Sequence, residues 1–317
     1  MGLSTAGGGP GVDDGVVRCA VAPGPVAPVV ARAITGSGGT LAEPSDATVL
    51  VWTDPADRDG LAALLAAAPA IRWVQLPFAG VEPFVDLLDD GRTWTSTKGA
   101  YSEPVAEHAL ALGLAGLRAL PARARAHEWG PQGGRRLTGG RITILGEGGI
   151  AGALLRLLAP FGVEATVVRR HVGPVAGASE VVGPDRLHEV LPGADLVVLA
   201  LALTPETVGI IGADELAVME SHAWLVNVAR GRHVVTDALV DVLRRGSIGG
   251  AALDVTDPEP LPADHPLWDL DNCLITPHTS NTWEMAEPLF AGRVADNLVR
   301  HRRGDALLGL LDPRLGY

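Results

Sequence analysis

The chain has 317 residues, 37 acidic and 25 basic, for a formal charge of −12, which excludes broad binding to nucleic acid or to an anionic membrane, since both need a basic face. Its 47% hydrophobic but only 4% aromatic content and its length, about two domains at roughly 100–200 residues each, allow sizeable cores without disulfides or metals. Two cysteines, Cys19 and Cys273, stand in no metal or redox spacing, no metal is expected, and a start without basic or apolar character is no signal peptide, so a cytoplasmic setting is expected.

The Gly- and Asp-rich residues 1–15 predict a disordered lead-in. Residues 16–22 (VVRCAVA), 48–52 (TVLVW), 72–76 (RWVQL) and 93–97 read as strands, with a helix through Leu61, Leu64 and Leu65. Strands alternating with helices imply a parallel α/β layer. Residues 103–126 read as one long Ala/Leu-rich helix, with Glu103 and Glu107 near its start and arginines near its end, as the helix dipole favours. A second α/β series follows, with strands at 141–145, 164–168, 195–201, 223–227, 250–254 and 273–276. Helices are predicted at 150–161, 184–191, 213–219 and 236–245. A last helix, 283–303, carries Arg on its outer face and returns the chain to the first layer. The longest apolar runs, such as 196–203, reach about half the ~20 residues of a membrane helix.

Residues 146–151 (GEGGIA) form a G-x-G-x-x-A turn between strand 141–145 and the helix after it. Gly146 allows the tight turn, Gly148 lets a pyrophosphate approach the backbone, and small Ala151 lets helix and strand pack closely. This predicts a dinucleotide site. A ribose-reading acid belongs about 20 residues on, but that position holds Arg169, followed by Arg170. Two guanidiniums suit a 2′-phosphate, so NADP is the expected cofactor, with NAD possible. Against this stands a composition in which Lys98 is the one lysine, so any single Arg is weaker evidence than usual.

Three stretches at strand ends carry candidate chemistry: 226–231 (VNVARG), 251–260 (AALDVTDPEP) and 276–281 (TPHTSN). Arg230 can grip a carboxylate bidentately. His278 can deliver a proton, and Glu259 can bond its far nitrogen, fixing the tautomer and favouring the imidazolium.

Residues 196–281 resemble the signature region of the D-isomer-specific 2-hydroxyacid dehydrogenases, in LTPETVGIIGADELAVM (203–219), LVNVARG (225–231), GGAALDV (249–255), EPLPADHPLW (259–268) and LITPHTSNT (274–282). With 74–81, 101–112 and 141–162 the likeness spans most of the chain. It implies an α/β fold of two Rossmann-like doubly wound domains: a discontinuous substrate domain of residues 1–102 and 283–317, and a dinucleotide-binding domain of residues 103–282. It places the catalytic trio on Arg230, Glu259 and His278. Backbone N–H groups of Ala79 and Gly80, with Arg230, would hold the substrate carboxylate. Cofactor contacts would fall on Gly146, Gly148, Gly149, Ile150, Arg169, Arg170, Thr204, Val228, Ala229 and, toward the carboxamide, Asp254, with Val105 lining the cleft. It also implies a homodimer through the cofactor domains and the helix near 103–126.

The implied activity is NAD(P)H-dependent interconversion of a 2-oxo acid and a D-2-hydroxy acid, with a glyoxylate/hydroxypyruvate-type reductase expected because NADPH favours reduction. The alternatives are a D-3-phosphoglycerate dehydrogenase-like enzyme, for which only Lys98 and Arg72 offer extra cations near residues 78–81, and a cofactor-sensing corepressor-like binding protein.

Overall fold

The computed structural model describes residues 16–88 and 91–312; the lead-in expected at residues 1–15 lies outside them. The chain divides into two compact units, one running to Lys98 and resuming at Ala286, the other spanning Gly99–Met285.

The first unit opens with β1 (Val17–Ala22), α1 (Pro28–Gly36), β2 (Gly39–Leu41), β3 (Val49–Trp52), α2 (Arg58–Ala67), β4 (Trp73–Gln75) and β5 (Thr93–Thr95). The strands form one parallel sheet in the order β2-β1-β3-β4-β5. All of β3 and β4 is buried, as expected of parallel strands covered on both faces. The reading of 103–126 and of the strands had no place for β2 or α1. β2 is only three residues long and starts at Gly39, so it carries too little periodicity to register.

The second unit contains α3 (Ser102–Leu117), α4 (Leu120–Arg125), β6 (Arg141–Leu145), α5 (Gly149–Leu158), β7 (Glu164–Val168), β8 (Glu180–Val182), α6 (Leu187–Val190), β9 (Leu196–Leu199), α7 (Ala213–Ala217), β10 (Trp224–Asn227), α8 (Thr236–Arg245), β11 (Gly250–Leu253) and β12 (Cys273–Ile275). Its parallel sheet runs β12-β11-β10-β9-β6-β7-β8. Successive strand residues point to opposite faces. Val197 and Leu225 therefore join one core with Leu239 and Leu243 of α8, and Val198 and Val226 join the other with α3 and α5. α3 approaches closely because Gly113 and Gly116 leave room for Leu196 and the Trp224 ring.

The long helix expected over 103–126 is broken. Pro121 in a continuous helix would lack its N–H and clash with the Leu117 carbonyl. Instead Ala119 turns left-handed (φ +53), and the freed Leu117 carbonyl accepts from Arg135 N–H at 2.6 Å.

The chain then returns to the first unit through α9 (Trp283–Arg303). Phe290, Val294 and Leu298 cover one face of the first sheet with Val30 and Ile34 of α1. The arginines of α9 do not all face outward. Arg293 is buried and donates to the Ser96 and Lys98 carbonyls at 3.1 and 2.9 Å, tying α9 to the chain beyond β5. Asn297, fully buried, donates to Gln75 Oε1 at 2.9 Å. No helix among the described residues is long and apolar enough to cross a membrane. Cys19 and Cys273 are free thiols, and burial pushes both up to about 12.

Candidate active site

The carboxyl edge of the second sheet collects nearly all the candidate residues. The glycine loop follows β6, Arg169 follows β7, Thr204 follows β9, Arg230 follows β10, Asp254 follows β11 and His278 follows β12. The chain order reverses between β6 and β9, and open α/β sheets bind ligands at such a switch point.

At the loop, Gly146 has φ +109, and a Cβ there would run into the Ala200 carbonyl oxygen. Its N–H donates to the Val168 carbonyl at 2.9 Å. Gly148 is the N-cap of α5 and has open space beside it. Gly149 is pressed against Ser102, so it too admits no side chain. Ala151 is fully buried. This backbone, with a helix N-terminus behind it, forms a cradle for a pyrophosphate. Val105 is buried in the core below, beside Ala151 and Leu154.

Arg169 reaches back to Glu147 of the glycine loop. Its Nε is buried with no partner, a donor waiting for an acceptor. Arg170, more exposed, lies 3.6 Å from Glu206. The Glu206 carboxyl is held below its usual range, chiefly by a hydrogen bond from Thr204. The orphaned guanidinium donor and the open glycine backbone fit a dinucleotide carrying a phosphate on its adenosine ribose. Glu147 was invisible as a partner from spacing alone; its one signal was an acidic side chain between the first two glycines.

The turn carrying Arg230 is fixed by Asn227, which sequence reasoning did not single out. Buried at the end of β10, it accepts from Ala229 N–H at 3.0 Å and donates to the Arg230 carbonyl at 2.9 Å. Val228 and Ala229 are buried. Gly231 packs directly on the Thr256 carbonyl, where a Cβ would collide.

His278 and Glu259 come together as expected, with Nδ1 and Oε1 2.6 Å apart and both side chains partly exposed. The carboxylate can only accept, so Nδ1 carries the hydrogen and Nε2 faces away from it. His278 adopts φ +52, a left-handed conformation that non-glycine residues seldom take. Its N–H donates to the Asp254 carbonyl at 2.8 Å.

Asp254, expected to point toward a carboxamide, is turned inward. Its side chain is 1% exposed. It accepts from Thr276 Oγ1 at 2.6 Å and from the backbone N–H groups of Thr279 and Ser280 at 2.9 and 3.1 Å. His108 Nε2 lies 3.4 Å away and contacts Thr276 Oγ1 at 2.9 Å. Burial opposes its ionisation, but hydrogen bonds from His108, Thr276, Ser280 and Thr279 prevail and hold the carboxyl far below the usual range. Oδ1 takes two of these bonds and Oδ2 takes one, so Asp254 clamps the loop that presents His278.

Residues 109–280 match the model of the D-isomer specific 2-hydroxyacid dehydrogenase NAD binding domain. The chain belongs to the D-isomer-specific 2-hydroxyacid dehydrogenase family. It is 32% identical over 276 residues to a glyoxylate reductase of Korarchaeum cryptofilum, covering 82% of this chain and 80% of that one. Among solved structures it is similar to a family member from Xanthobacter autotrophicus Py2 in complex with NADPH and MES, with a TM-score of 0.81, 28% identity and coverage of 95% and 99% of the two chains. It is also similar to an NADPH-dependent glyoxylate/hydroxypyruvate reductase from Sinorhizobium meliloti in complex with NADP and sulfate, with a TM-score of 0.78, 25% identity and coverage of 95% and 100%. The family's members are NAD(P)-dependent dehydrogenases, which makes this chain an oxidoreductase rather than a binding protein alone.

Ala79 and Gly80, the remaining expected site residues of this family member, belong to the first unit, on the loop between β4 and the turn at Glu82–Leu87. The Arg72 guanidinium donates to the Pro69 carbonyl at 2.6 Å.

Proposed function

We propose that the chain reduces a small 2-oxo acid, glyoxylate or hydroxypyruvate, to the D-2-hydroxy acid with NADPH, and accepts NADH less well. The observation that carries this reading is the His278–Glu259 pair standing on the same sheet edge as Arg230 and the glycine loop. The names of the relatives point the same way, as does the NADPH or NADP in two similar structures.

Gly146, Gly148, Gly149 and Ile150 would hold the pyrophosphate, Arg169 and Arg170 the adenosine 2′-phosphate, and Thr204, Val228 and Ala229 the rest of the dinucleotide. When bound, the dihydronicotinamide supplies the hydride that reduces the carbonyl carbon. Arg230 binds the substrate carboxylate in two parallel hydrogen bonds and polarises the carbonyl. His278 Nε2 gives its proton to the carbonyl oxygen. Glu259 holds Nδ1–H and stabilises the imidazolium before transfer. Asp254 keeps the His278 loop in place and would offer Oδ2, which takes one bond from that loop, toward the carboxamide.

The unit that runs to Lys98 and resumes at Ala286 serves as the substrate domain and Gly99–Met285 as the dinucleotide-binding domain, each boundary within four residues of the expected 1–102 with 283–317 and 103–282. We place the enzyme in the cytoplasm, which suits two free buried thiols, and as a homodimer through the region of α3 and α4. Exposed Leu120 and Trp129 support that surface.

The test is loss of absorbance at 340 nm with NADPH or NADH and a panel of glyoxylate, hydroxypyruvate, branched 2-oxo acids and 3-phosphohydroxypyruvate. Turnover of the first two, faster with NADPH, is expected. Silence across the panel, or a clear preference for the phosphorylated acid, overturns the reading.

A further inference from the structure

The glycine loop carries its own anion. Between Gly146 and Gly148 stands Glu147, and its carboxylate is paired with Arg169, the guanidinium assigned above to the 2′-phosphate. The pair is partly shielded, with the Arg169 side chain 19% exposed and that of Glu147 38%. A pair so placed is less screened by solvent than one on the open surface. The neighbouring Arg170–Glu206 contact is longer and more exposed on both sides, so it contributes less. The buried Arg169 Nε has no acceptor, so Glu147 satisfies only part of the guanidinium fork. A phosphate offers three acceptor oxygens and more charge than a carboxylate, but it cannot share Arg169 with an ionised Glu147 without repulsion.

We propose that Glu147 is a selectivity-setting residue at the adenosine end: it competes with the 2′-phosphate for Arg169 and holds down the enzyme's preference for the phosphorylated cofactor. This rests on the reading that Arg169 receives that phosphate. A nucleotide with a free 2′-hydroxyl brings no charge to the pair and leaves it intact. A 2′-phosphate must first displace Glu147. The residue therefore narrows the gap between the two nucleotides, whereas the arginines widen it.

The test uses binding of dinucleotide fragments, independent of turnover. 2′,5′-ADP, which carries the 2′-phosphate, and 5′-ADP, which lacks it, are titrated by isothermal calorimetry into the wild-type protein and the Glu147→Gln, Glu147→Ala, Arg169→Ala and Glu147→Gln/Arg169→Ala variants. Both Glu147 variants are expected to bind 2′,5′-ADP roughly tenfold more tightly, as for one charge-assisted contact regained, and 5′-ADP within about twofold of wild type. The gain should vanish in the double variant. Unchanged or weaker 2′,5′-ADP binding in both Glu147 variants overturns the proposal, and a selective loss of 5′-ADP would show Glu147 to be a ribose ligand instead. If Arg169→Ala leaves the wild-type discrimination between the two ligands intact, the underlying assignment of Arg169 fails, whatever Glu147 does.

Discussion

At the scale of single residues, the chemistry was legible where it lies in one short motif and illegible where partners meet across loops. His278 and Glu259 were readable because each sits in its own stretch of signature sequence. Their contact at 2.6 Å makes the prediction concrete. His278→Gln keeps a polar side chain but has no proton to give, so kcat should fall about 100-fold or more; near-normal turnover refutes the role. Asp254 was equally visible as a residue, but its inward direction was not, because its donors Thr276, Thr279 and Ser280 lie on the loop after the next strand. Its depressed carboxyl pKa has a defined sign. The folded protein favours the charged form, so the stabilisation is complete above the unfolded value of about 3.9 and is lost as the pH falls through the folded value. Asp254→Asn should thus cost about 1.5–3 kcal/mol at pH 7, as hydrogen bonds to charged groups do, with the deficit shrinking below about pH 4. Urea unfolding of both proteins across that range checks it, and a deficit independent of pH would contradict the account.

At the scale of elements, periodicity and punctuation located most of the second sheet. Strand 141–145, strand 164–168, helix 236–245 and helix 283–303 were readable to the residue, since each combines a clear apolar pattern with a flanking glycine or turn. The break at Ala119 was not read, although Pro121 signalled it, because the apolar pattern continues through it. Three-residue β2 and β8 were missed because a strand that short shows hardly one period. The β6–α5 junction makes the sharpest test at this scale. Gly146→Ala combines a left-handed φ with a collision against the Ala200 backbone, and the neighbour cannot yield as a flexible side chain would. We expect a destabilisation of about 1–3 kcal/mol and loss of 2′,5′-ADP binding. Gly148→Ala, with open space and ordinary φ, should fold as well as wild type and lose only nucleotide affinity. Thermal melts with and without ligand distinguish the two; a Gly146→Ala protein that melts and binds like wild type would remove the strained-turn argument.

At the scale of the whole molecule, the −12 charge does not describe the site, where the arginines after β7 stand paired with Glu147 and Glu206. Because the nucleotide site belongs to one unit, ligand stabilises that unit. NADPH at about 100 times its dissociation constant should add roughly 2.7 kcal/mol to it, seen in calorimetry as an upward shift of a melting transition, with NADH giving a smaller shift at equal concentration. No shift with either nucleotide would exclude the site. The division of the chain at Lys98 and Ala286 also orders events during synthesis. Translation delivers the whole nucleotide-binding unit, Gly99–Met285, before the part of α9 that packs on the first sheet, and domains fold as units while the ribosome is still at work. The first-made strands, β1 to β5, must meanwhile wait with the surface meant for Phe290, Val294 and Leu298 uncovered. The sheet made before the nucleotide-binding unit is finished after it, and a nascent chain stalled before residue 286 would present that apolar sheet face to chaperones.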